Sequence, residues 1–296
     1  MTYFVELIIN GVSIGLIYAL IAIGFTVIFK ATEVLTFAQG STLLLGAYVV
    51  VRAQDALGFF PAALLGIAVA ALLSAAIEVL LVRRAATQEH ISLAILTLGV
   101  DIALASELSR RIGSDVLSFA DPWGNKTVEI GSFVLPQARV AALVVCGTIA
   151  ATFFLVLKYS SWGIAVRASA EDREAAALMG INRRRVAGIS WALAGGLAAV
   201  AGIFMGTAPS PGLTNTSNVT ALNAFPAAII GGLDSPGGAV AGGLIVGIVQ
   251  SLSAGYNDEV AFLGSQLFEV SAFAVMILVL LWRPSGLYGT RELTRV

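Results

Sequence analysis

Four carboxylates stand in or beside long apolar segments, where an acid can couple to an ion or form a hydrogen bond between helices. They are Glu78, Asp101, Glu107 and Glu269. A charged group in an apolar phase is costly unless it is paired, so such acids are functional candidates. Asp101 and Glu269 lack a basic partner in the sequence. For these two we favour interhelical hydrogen bonding, and a polar transport path is the alternative.

The other two acids have basic partners close by in the sequence. Glu107 is followed by Arg110 and Arg111 at helical spacing, and Glu78 precedes Arg83 by about one turn. Residues three or four apart are neighbours on a helix surface, so an ion pair there accounts for each acid without a further role. We therefore predict two surface ion pairs.

The sequence offers little to an enzyme or a metal site. GVSIG at 11–15 matches the nucleophile elbow G-x-S-x-G, but that motif needs a strand–turn–helix and a histidine partner. Here it lies inside a long apolar run, and His90 is the one histidine. One cysteine, Cys146, leaves no disulfide and no Cys/His zinc cluster. There is no Gly-Lys-Ser/Thr sequence, so a P-loop is not expected either. We predict no catalytic residue, no metal and no cofactor on this chain.

Composition defines the class of protein. Hydrophobic residues make up 58% of the 296 residues, charged residues make up 12%, and the mean hydropathy is +0.91. Soluble domains carry about 25% charged residues, so this chain is predicted to be a polytopic membrane protein whose environment is the lipid bilayer. The net charge of −1 gives no reason to expect nucleic acid as a partner. The first apolar run lacks a basic leader, and we interpret it as a membrane span and not as a cleaved signal peptide.

Seven apolar segments approach the length of about 20 residues that a membrane span needs. They are 5–29, 34–51, 59–82, 91–109, 138–157, 186–207 and 261–282. A further apolar stretch, 221–254, is interrupted at 231–238 by GGLDSPGG. We predict one all-α membrane domain over 1–296 with about seven to nine transmembrane segments, an outer loop at 110–137 and a cytoplasmic loop at 158–185.

The distribution of lysine and arginine predicts the orientation, because cytoplasmic loops carry the excess of these residues. One alternate set of loops holds twelve of them and the other set holds five. The twelve include six bases between Lys158 and Arg185. We therefore place the N-terminus outside and the C-terminus in the cytoplasm, which requires an odd number of crossings. Seven crossings satisfy this if 221–254 re-enters from outside, and nine satisfy it if both halves cross.

Charge is concentrated in RASAEDREAAALMGINRRRV, residues 167–186, which holds five arginines and three acids. Ser169 followed by Asp172 is similar to a capping box. Glu171, Asp172 and Glu174 would then lie in the first turns, where the helix dipole favours acids. The pattern predicts a helix that begins at Ser169.

The same helix has an apolar side and a predicted end. Ala175 and Ala176 continue it, and Gly180 can supply the left-handed residue that ends it. A helix of about ten residues is marginal alone in water, so it is expected to dock against something. A solvated loop that obeys the positive-inside rule is the alternative.

GGLDSPGG at 231–238 marks a second break. Ser235 can cap a helix whose first residue is Pro236. Irregular backbone at membrane depth is tolerated only where it is buried in protein or lines water, and such breaks often direct half-helix dipoles at a substrate. A tight turn at the membrane surface is the alternative. The hinge candidates are Gly231, Gly232, Asp234, Pro236 and Gly237.

Four G-x-x-x-G pairs predict close helix packing, because they let helix backbones approach within a bilayer. The pairs are Gly11/Gly15, Gly202/Gly206, Gly238/Gly242 and Gly243/Gly247. We favour packing within one subunit, and a subunit interface is the alternative.

The charged stretch also resembles a known motif. EAAALMG, Glu174–Gly180, is similar to the EAA loop of ABC importer permeases, which forms a cytoplasmic coupling helix seated in a cleft of the ATPase subunit. The family's following Ile-x-Leu-Pro would fall near Ser190–Leu193, where SWAL stands. By this resemblance the ATPase-coupling residues are Ser169, Glu171, Asp172, Glu174, Ala175, Ala176 and Gly180.

More of the chain resembles one branch of these permeases, the branched-chain amino acid (Liv-type, H-like) membrane subunits. The matching pieces, in the expected order, lie at 10–29, 35–48, 163–186, 225–243 and 280–289. The family often has histidine in an Asn-Phe-Ala-His-Gly pattern where this chain has Gln39. Gln39 therefore joins Asp101 and Glu269 as a candidate for the substrate path.

The resemblance implies a permease subunit of an ABC importer in a bacterial inner (plasma) membrane. It implies two ATPase subunits that bind the ATP and Mg²⁺, a second homologous permease subunit in a favoured heterodimer, and a periplasmic substrate-binding protein. The implied substrate is a branched-chain amino acid or a related small polar solute. Urea-type permeases often carry an extra N-terminal region, and this sequence starts at its first span, which disfavours urea.

Two other functions remain open on the sequence. An ion-coupled secondary transporter or small-solute channel acting alone is the first, with Asp101 and Glu269 as its coupling groups. A structural membrane scaffold is the second.

Overall fold

Long helices make up most of the computed structural model, which describes residues 2–85, 90–120, 122–123, 126–130, 133–207, 212–214, 221–257 and 267–289. The helices are α1 Thr2–Thr32, α2 Gln39–Leu57, α3 Phe59–Ile77, α4 His90–Ile112, α5 Gln137–Tyr159, α6 Ser161–Glu171, α7 Arg173–Leu178, α8 Arg183–Thr207, α9 Phe225–Gly231, α10 Pro236–Gly255 and α11 Leu267–Trp282. Two short antiparallel strands, β1 Thr127–Ile130 and β2 Phe133–Pro136, form a hairpin between α4 and α5.

Six helices of the described ranges are long and apolar enough to cross a membrane. These candidate spans are Tyr3–Thr32, Phe59–Val82, Ile91–Ile112, Gln137–Tyr159, Arg183–Thr207 and Pro236–Gly255. The apolar part of α11, Val270–Trp282, is shorter. The predicted class, an all-α polytopic membrane protein, is confirmed, while the number of crossings stays a prediction.

Small residues bring the two central helices into backbone contact. Gly11 and Gly15 of α1 face Gly243 and Gly247 of α10, and a methyl group on Gly11 would lie only 2.6 Å from the Cα of Ile248. Lipid is as apolar as the helix surfaces, so association in a bilayer depends on such close packing and less on the hydrophobic effect. These two predicted G-x-x-x-G pairs therefore pack within the subunit.

The remaining two pairs are also internal. Gly202 of α8 packs against Leu43 of α2, and its partner Gly206 lies against the ring of Phe119. Gly238 and Gly242 lie against the backbone of α9. Every predicted pair thus serves the packing of this subunit, as favoured from the sequence.

The outer helices present large apolar side chains on their free surfaces. Examples from α3, α4 and α11 are Leu64, Leu72, Ile91, Ile95, Leu278 and Leu281. A soluble protein rarely exposes apolar patches of this extent, whereas a bilayer solvates them. The central helices α1 and α8 are largely buried by comparison.

Several predicted boundaries are wrong in detail. The span expected at 34–51 is α2, Gln39–Leu57, because the chain turns sharply at Glu33 with φ 57° and stays irregular as far as Ala38. α3 ends in a π-helical turn, Glu78–Val82, which was not predicted. The hairpin between α4 and α5, within the predicted loop 110–137, was not predicted.

The break in 221–254 separates two helices of unequal length. α10 has 20 residues and runs antiparallel to α1, whereas α9 has seven. Lys30 Nζ, at the C-terminal end of α1, donates a hydrogen bond to the carbonyl of Asp234 over 3.2 Å. The break therefore lies at the Lys30 end of the bundle.

We predict that this end faces the cytoplasm, and cysteine labelling in intact cells tests it. Cys146, which is buried, is first replaced by alanine. Ser114 and Glu171 are both exposed, so a cysteine at either position is accessible to an impermeant maleimide on its own side of the membrane. We expect labelling of Ser114→Cys from outside and of Glu171→Cys only after permeabilisation. Labelling of Glu171→Cys in intact cells would reverse the topology.

Candidate functional site

The charged stretch forms a corner of two helices and not the single helix that was predicted. Asp172 is extended, with φ −150° and ψ 111°, and separates α6 from α7. Ser169 lies inside α6 and is buried, and its hydroxyl makes no hydrogen bond within the described part of the chain. Ser169 is thus a packing residue, and its prediction as a helix cap is wrong. Glu171 ends α6, so Glu174 is the acid of the first turn of α7.

Both ends of α7 are closed by hydrogen bonds. Asp172 Oδ1 accepts from the backbone N–H groups of Glu174 and Ala175, each over 2.9 Å. At the other end, Gly180 N–H donates to the Ala177 carbonyl, and the next N–H donates to the Ala176 carbonyl. Gly180 has φ +83°, which completes a Schellman motif and confirms its predicted role.

Exposure divides the residues of α7 into an inner and an outer face. Ala176 is only 4% exposed, whereas Leu178 and Met179 are 88% and 84% exposed. The alanine strip that was expected to form the docking face is therefore split, because Ala176 points inward while Ala175 points outward. The sequence analysis did not single out Leu178 and Met179, although their apolar type at the end of a short capped helix was visible.

The corner is held to the membrane helices on its α6 side. The Arg167 guanidinium donates to the carbonyls of Leu157 and Lys158 at the end of α5. Gly163 lies so close to the Leu157 carbonyl that any side chain there would overlap it. Ser160 caps α6 by accepting from the Gly163 N–H over 3.0 Å. These contacts fix the position of α6 relative to the end of α5.

On the other side of the corner, Arg83 anchors the start of α8, the helix that follows α7. Its guanidinium forms a two-pronged ion pair with Glu78, the shorter bond being 2.6 Å. The predicted pairing is confirmed, but its predicted surface location is wrong, because Glu78 is buried. The Arg83 guanidinium also donates to the Arg184 carbonyl over 2.9 Å, which links the end of α3 to the start of α8. Asn182 Oδ1 caps α8 by accepting from the Arg185 N–H. α7 thus lies between α6, which is hydrogen-bonded to α5, and α8, which is hydrogen-bonded to Arg83.

The predicted ion pair at the far end of α4 is also present. Glu107 contacts Arg110 at 2.8 Å and Arg111 at 2.6 Å, and all three side chains are exposed. Exposed pairs of this kind contribute little to stability, so we assign them no further role.

At the second break, residues 231–238, the start of α10 is capped as the sequence predicted. Ser235 Oγ accepts from the Gly238 N–H over 3.1 Å, and Pro236 is the first residue of α10. Gly232 has φ +100°, which lets the chain leave α9 and turn back. Gly231 lies against Gly238 so tightly that a side chain on either would overlap backbone. Gly237 instead faces open space.

The break is also bound by the segment that follows α11. The N–H groups of Leu287 and Tyr288 donate to the carbonyls of Ile230 and Gly231 over 2.8 and 3.0 Å. These two carbonyls belong to the last turn of α9, which has no intrahelical partner for them. Asp234 receives Lys30 through its carbonyl, as described above. The break is therefore a turn held in place by hydrogen bonds from residues 287 and 288. The segment 280–289 was noted in the sequence only for its resemblance to the family, and its contact with the break was not predicted.

Two of the three residues proposed for a substrate path, Gln39 and Asp101, lie at the start of α2. Asp101 Oδ1 accepts from the Ser41 N–H over 2.8 Å and so caps α2 from α4, which is the interhelical hydrogen bond that was favoured. Gln39 is buried, and its Nε2 donates to the Ala194 carbonyl over 3.0 Å. Glu269 lies in α11, and its side chain is outside the described part of the structure.

A cavity of about 590 Å³ lies instead in the half of the bundle away from Lys30. It is lined by residues of α1, α2, α5, α8, α10 and α11 together with residues 212–214. Its polar lining residues are Asn10, Tyr18, Arg139, Thr214 and Ser251. The sequence analysis missed it because the lining comes from seven separate segments, none of which carries a motif.

A bundle of candidate membrane spans around a cavity fits a membrane transport component. The family model described as "Branched-chain amino acid transport system / permease component" matches residues 7–280. The chain belongs to this family, which is one of transport components and not of enzymes.

Named relatives cover almost the whole chain. The high-affinity branched-chain amino acid transport system permease protein LivH of Escherichia coli K12 is 32% identical over 310 residues, 99% of this chain and 98% of the relative. The corresponding protein BraD of Pseudomonas aeruginosa is 29% identical over 99% of this chain and 98% of its own. A probable LivH of Methanocaldococcus jannaschii is 31% identical over 91% of this chain and 88% of its own. No solved structure gives a significant match. The resemblance stated from the sequence is confirmed.

A pair of adjacent glycines tests the packing of the break. We expect Gly238→Ala to lower the free energy of unfolding by about 1–3 kcal/mol, because the new methyl group overlaps the Gly231 carbonyl. Gly237→Ala should leave stability unchanged or slightly raised, since its methyl group meets open space. Thermal unfolding of both variants in detergent is the measurement, and equal melting temperatures would refute the close contact.

Gly180 tests the end of α7. We expect Gly180→Val to destabilise the corner by about 1–2 kcal/mol, because a β-branched residue is strained at positive φ. That cost corresponds to roughly 5–30-fold faster trypsin cleavage at Arg183–Arg185 through local opening. Gly180→Asn is the control, since asparagine tolerates this conformation and cleavage should change little. Equal cleavage of the valine variant and the wild type would contradict the Schellman ending.

Proposed function

We propose that the chain is a membrane-spanning permease subunit of an ABC importer in the bacterial inner membrane. It translocates a branched-chain amino acid or a related small polar solute, and ATP hydrolysis by two partner ATPase subunits drives the transport. ATP and Mg²⁺ are bound by those partners. The observation that carries the proposal is the capped α7 corner, which holds Leu178 and Met179 exposed outside the membrane spans.

Exposed apolar side chains on a rigid support are what a docking element requires. Leu178 and Met179 are the apolar residues of this docking surface, and the neighbouring acids Glu171 and Glu174 are exposed as well. An apolar core with a charged rim is the usual anatomy of a protein–protein interface. Because Asp172 and Gly180 already fix α7, little further ordering is required when a partner binds.

The position of the corner supports the same function. α7 lies in the segment with the highest density of arginine, which the positive-inside rule places in the cytoplasm, where ATP is available. The proposed assembly adds a second, homologous permease subunit, with a heterodimer favoured, and a periplasmic substrate-binding protein on the opposite side. The relatives' names, each that of a permease protein of a transport system, support an assembly of several components.

An ion-coupled carrier acting alone receives less support. Its proposed coupling groups were Asp101 and Glu269, and the Asp101 carboxylate is engaged in capping α2 through Ser41. That hydrogen bond satisfies a backbone N–H for which Ala38, at the N-cap, offers no side-chain acceptor. A structural role therefore accounts for Asp101.

The docking function is tested by removing the exposed apolar pair. We expect the double change Leu178→Ser with Met179→Ser to abolish co-purification of the ATPase and ATP-driven uptake, since truncating the centre of an interface costs about 2 kcal/mol or more. Membrane insertion should be normal, because both side chains are exposed.

The matched control is Arg184→Gln. This side chain is exposed on the same side of the bundle, and its contact with Arg83 uses only its carbonyl, so ATPase binding should change little. Ala176→Trp is unsuitable as a docking test, because Ala176 points inward and the change would disturb the corner itself. Full ATPase binding by the double serine variant would show that α7 is not the docking element.

A further inference from the structure

The lining of the cavity of about 590 Å³ combines a few polar side chains with many apolar ones. Its volume lies within the range of about 300–1,000 Å³ that is typical of small-molecule sites. The wall is formed by Leu7, Ile14, Ile17, Leu43, Met205 and Phe268. A few polar groups in an apolar cavity fix the orientation of a ligand, while the wall accepts its apolar part.

Arg139 is the cationic group of this cavity. It lies in the first turn of α5, where the helix dipole disfavours a positive charge and favours an anion. Its carbonyl accepts from Ser13 Oγ over 3.1 Å, which fixes its backbone against α1. Within the described residues its guanidinium makes no ion pair, whereas Glu78 and Glu107 are taken by other arginines. The Arg139 guanidinium can therefore bind the carboxylate of a ligand in the cavity.

Asn10 provides a complementary acceptor in the same cavity. Its Oδ1 is buried and receives no hydrogen bond from the described residues. A buried acceptor without a partner is destabilising, so a ligand that donates to it removes that cost. Ser251, beside it in the lining, is already engaged, because its hydroxyl donates to the Leu7 carbonyl over 2.7 Å.

We propose that this cavity is a binding site for an α-amino acid with an aliphatic side chain. Arg139 binds the carboxylate, Asn10 Oδ1 accepts from the ammonium group, and the aliphatic side chain lies along Ile14 and Ile17. A guanidinium suits this role because it binds a carboxylate through two parallel hydrogen bonds. The choice of an amino acid as the ligand rests on the proposed function. The prediction that the ligand carries a carboxylate and a hydrogen-bond donor rests only on Arg139 and Asn10.

Ligand-dependent thermal stability of the purified full chain tests the site, because a ligand that binds only the folded state raises the melting temperature. We expect millimolar L-leucine to raise it. Leucinamide, which lacks the carboxylate, and 4-methylpentanoate, which lacks the ammonium group, should produce smaller shifts. No shift with L-leucine, or an equal shift with leucinamide, would overturn the site.

Variants of Arg139 show whether L-leucine raises the melting temperature by binding in this cavity or by a non-specific effect. Arg139→Gln should weaken L-leucine binding at least about tenfold, because it removes the cationic partner of the ligand carboxylate inside the cavity. Arg139→Lys keeps the charge and should retain weaker binding, which guards against a variant that merely misfolds. Arg110→Gln is the control, since that exposed arginine lies outside the cavity and is paired with Glu107. Unchanged binding by Arg139→Gln would overturn the proposal.

The measurement needs no ATPase, so its failure is distinct from failure of the proposed function. Loss of leucine binding with intact docking of the ATPase at Leu178 and Met179 would remove only the cavity. Leucine binding with no ATPase docking would keep the cavity and remove the importer.

Discussion

The backbone contact between α1 and α10 is the interaction on which the rest of the structure depends. Gly11 and Gly15 meet Gly243 and Gly247 so closely that no side chain fits between the helices. In a bilayer such contacts replace the hydrophobic effect as the source of helix association. α1 also packs against α5, α8 and α9, so its position sets the positions of those helices. The cavity lies at one end of this contact and the break at 231–238 lies at the other.

A single helix joins the two sites on which the proposals rest. α5 carries Arg139 in its first turn and Lys158 near its end. At that end the Arg167 guanidinium binds the carbonyls of α5, so α6 and the α7 corner follow it. The 23 residues of α5 thus connect the cavity with the exposed pair Leu178 and Met179. α5 is therefore the helix that lies between the proposed docking surface and the proposed binding site.

Local patterns in the sequence predicted the features that depend on local physics. Gly180 ends α7 and Ser235 caps α10 because their roles need only the neighbouring backbone. The choice of Asp172 over Ser169 as a cap could not be predicted, since both side chains can cap and burial of Ser169 in the folded chain decides between them. The partner of Asp101 is a backbone N–H 60 positions away, and the cavity is lined by seven segments. Such long-range contacts leave no periodic signal in the chain.

Transport by a reconstituted assembly tests the central claim most directly. Proteoliposomes with the permease pair, the ATPase subunits and the binding protein would be compared with proteoliposomes that hold this chain alone. Uptake of radiolabelled L-leucine should require every component and ATP on the side that carries Leu178 and Met179. Uptake by the chain alone, driven by an ion gradient without ATP, would contradict the importer.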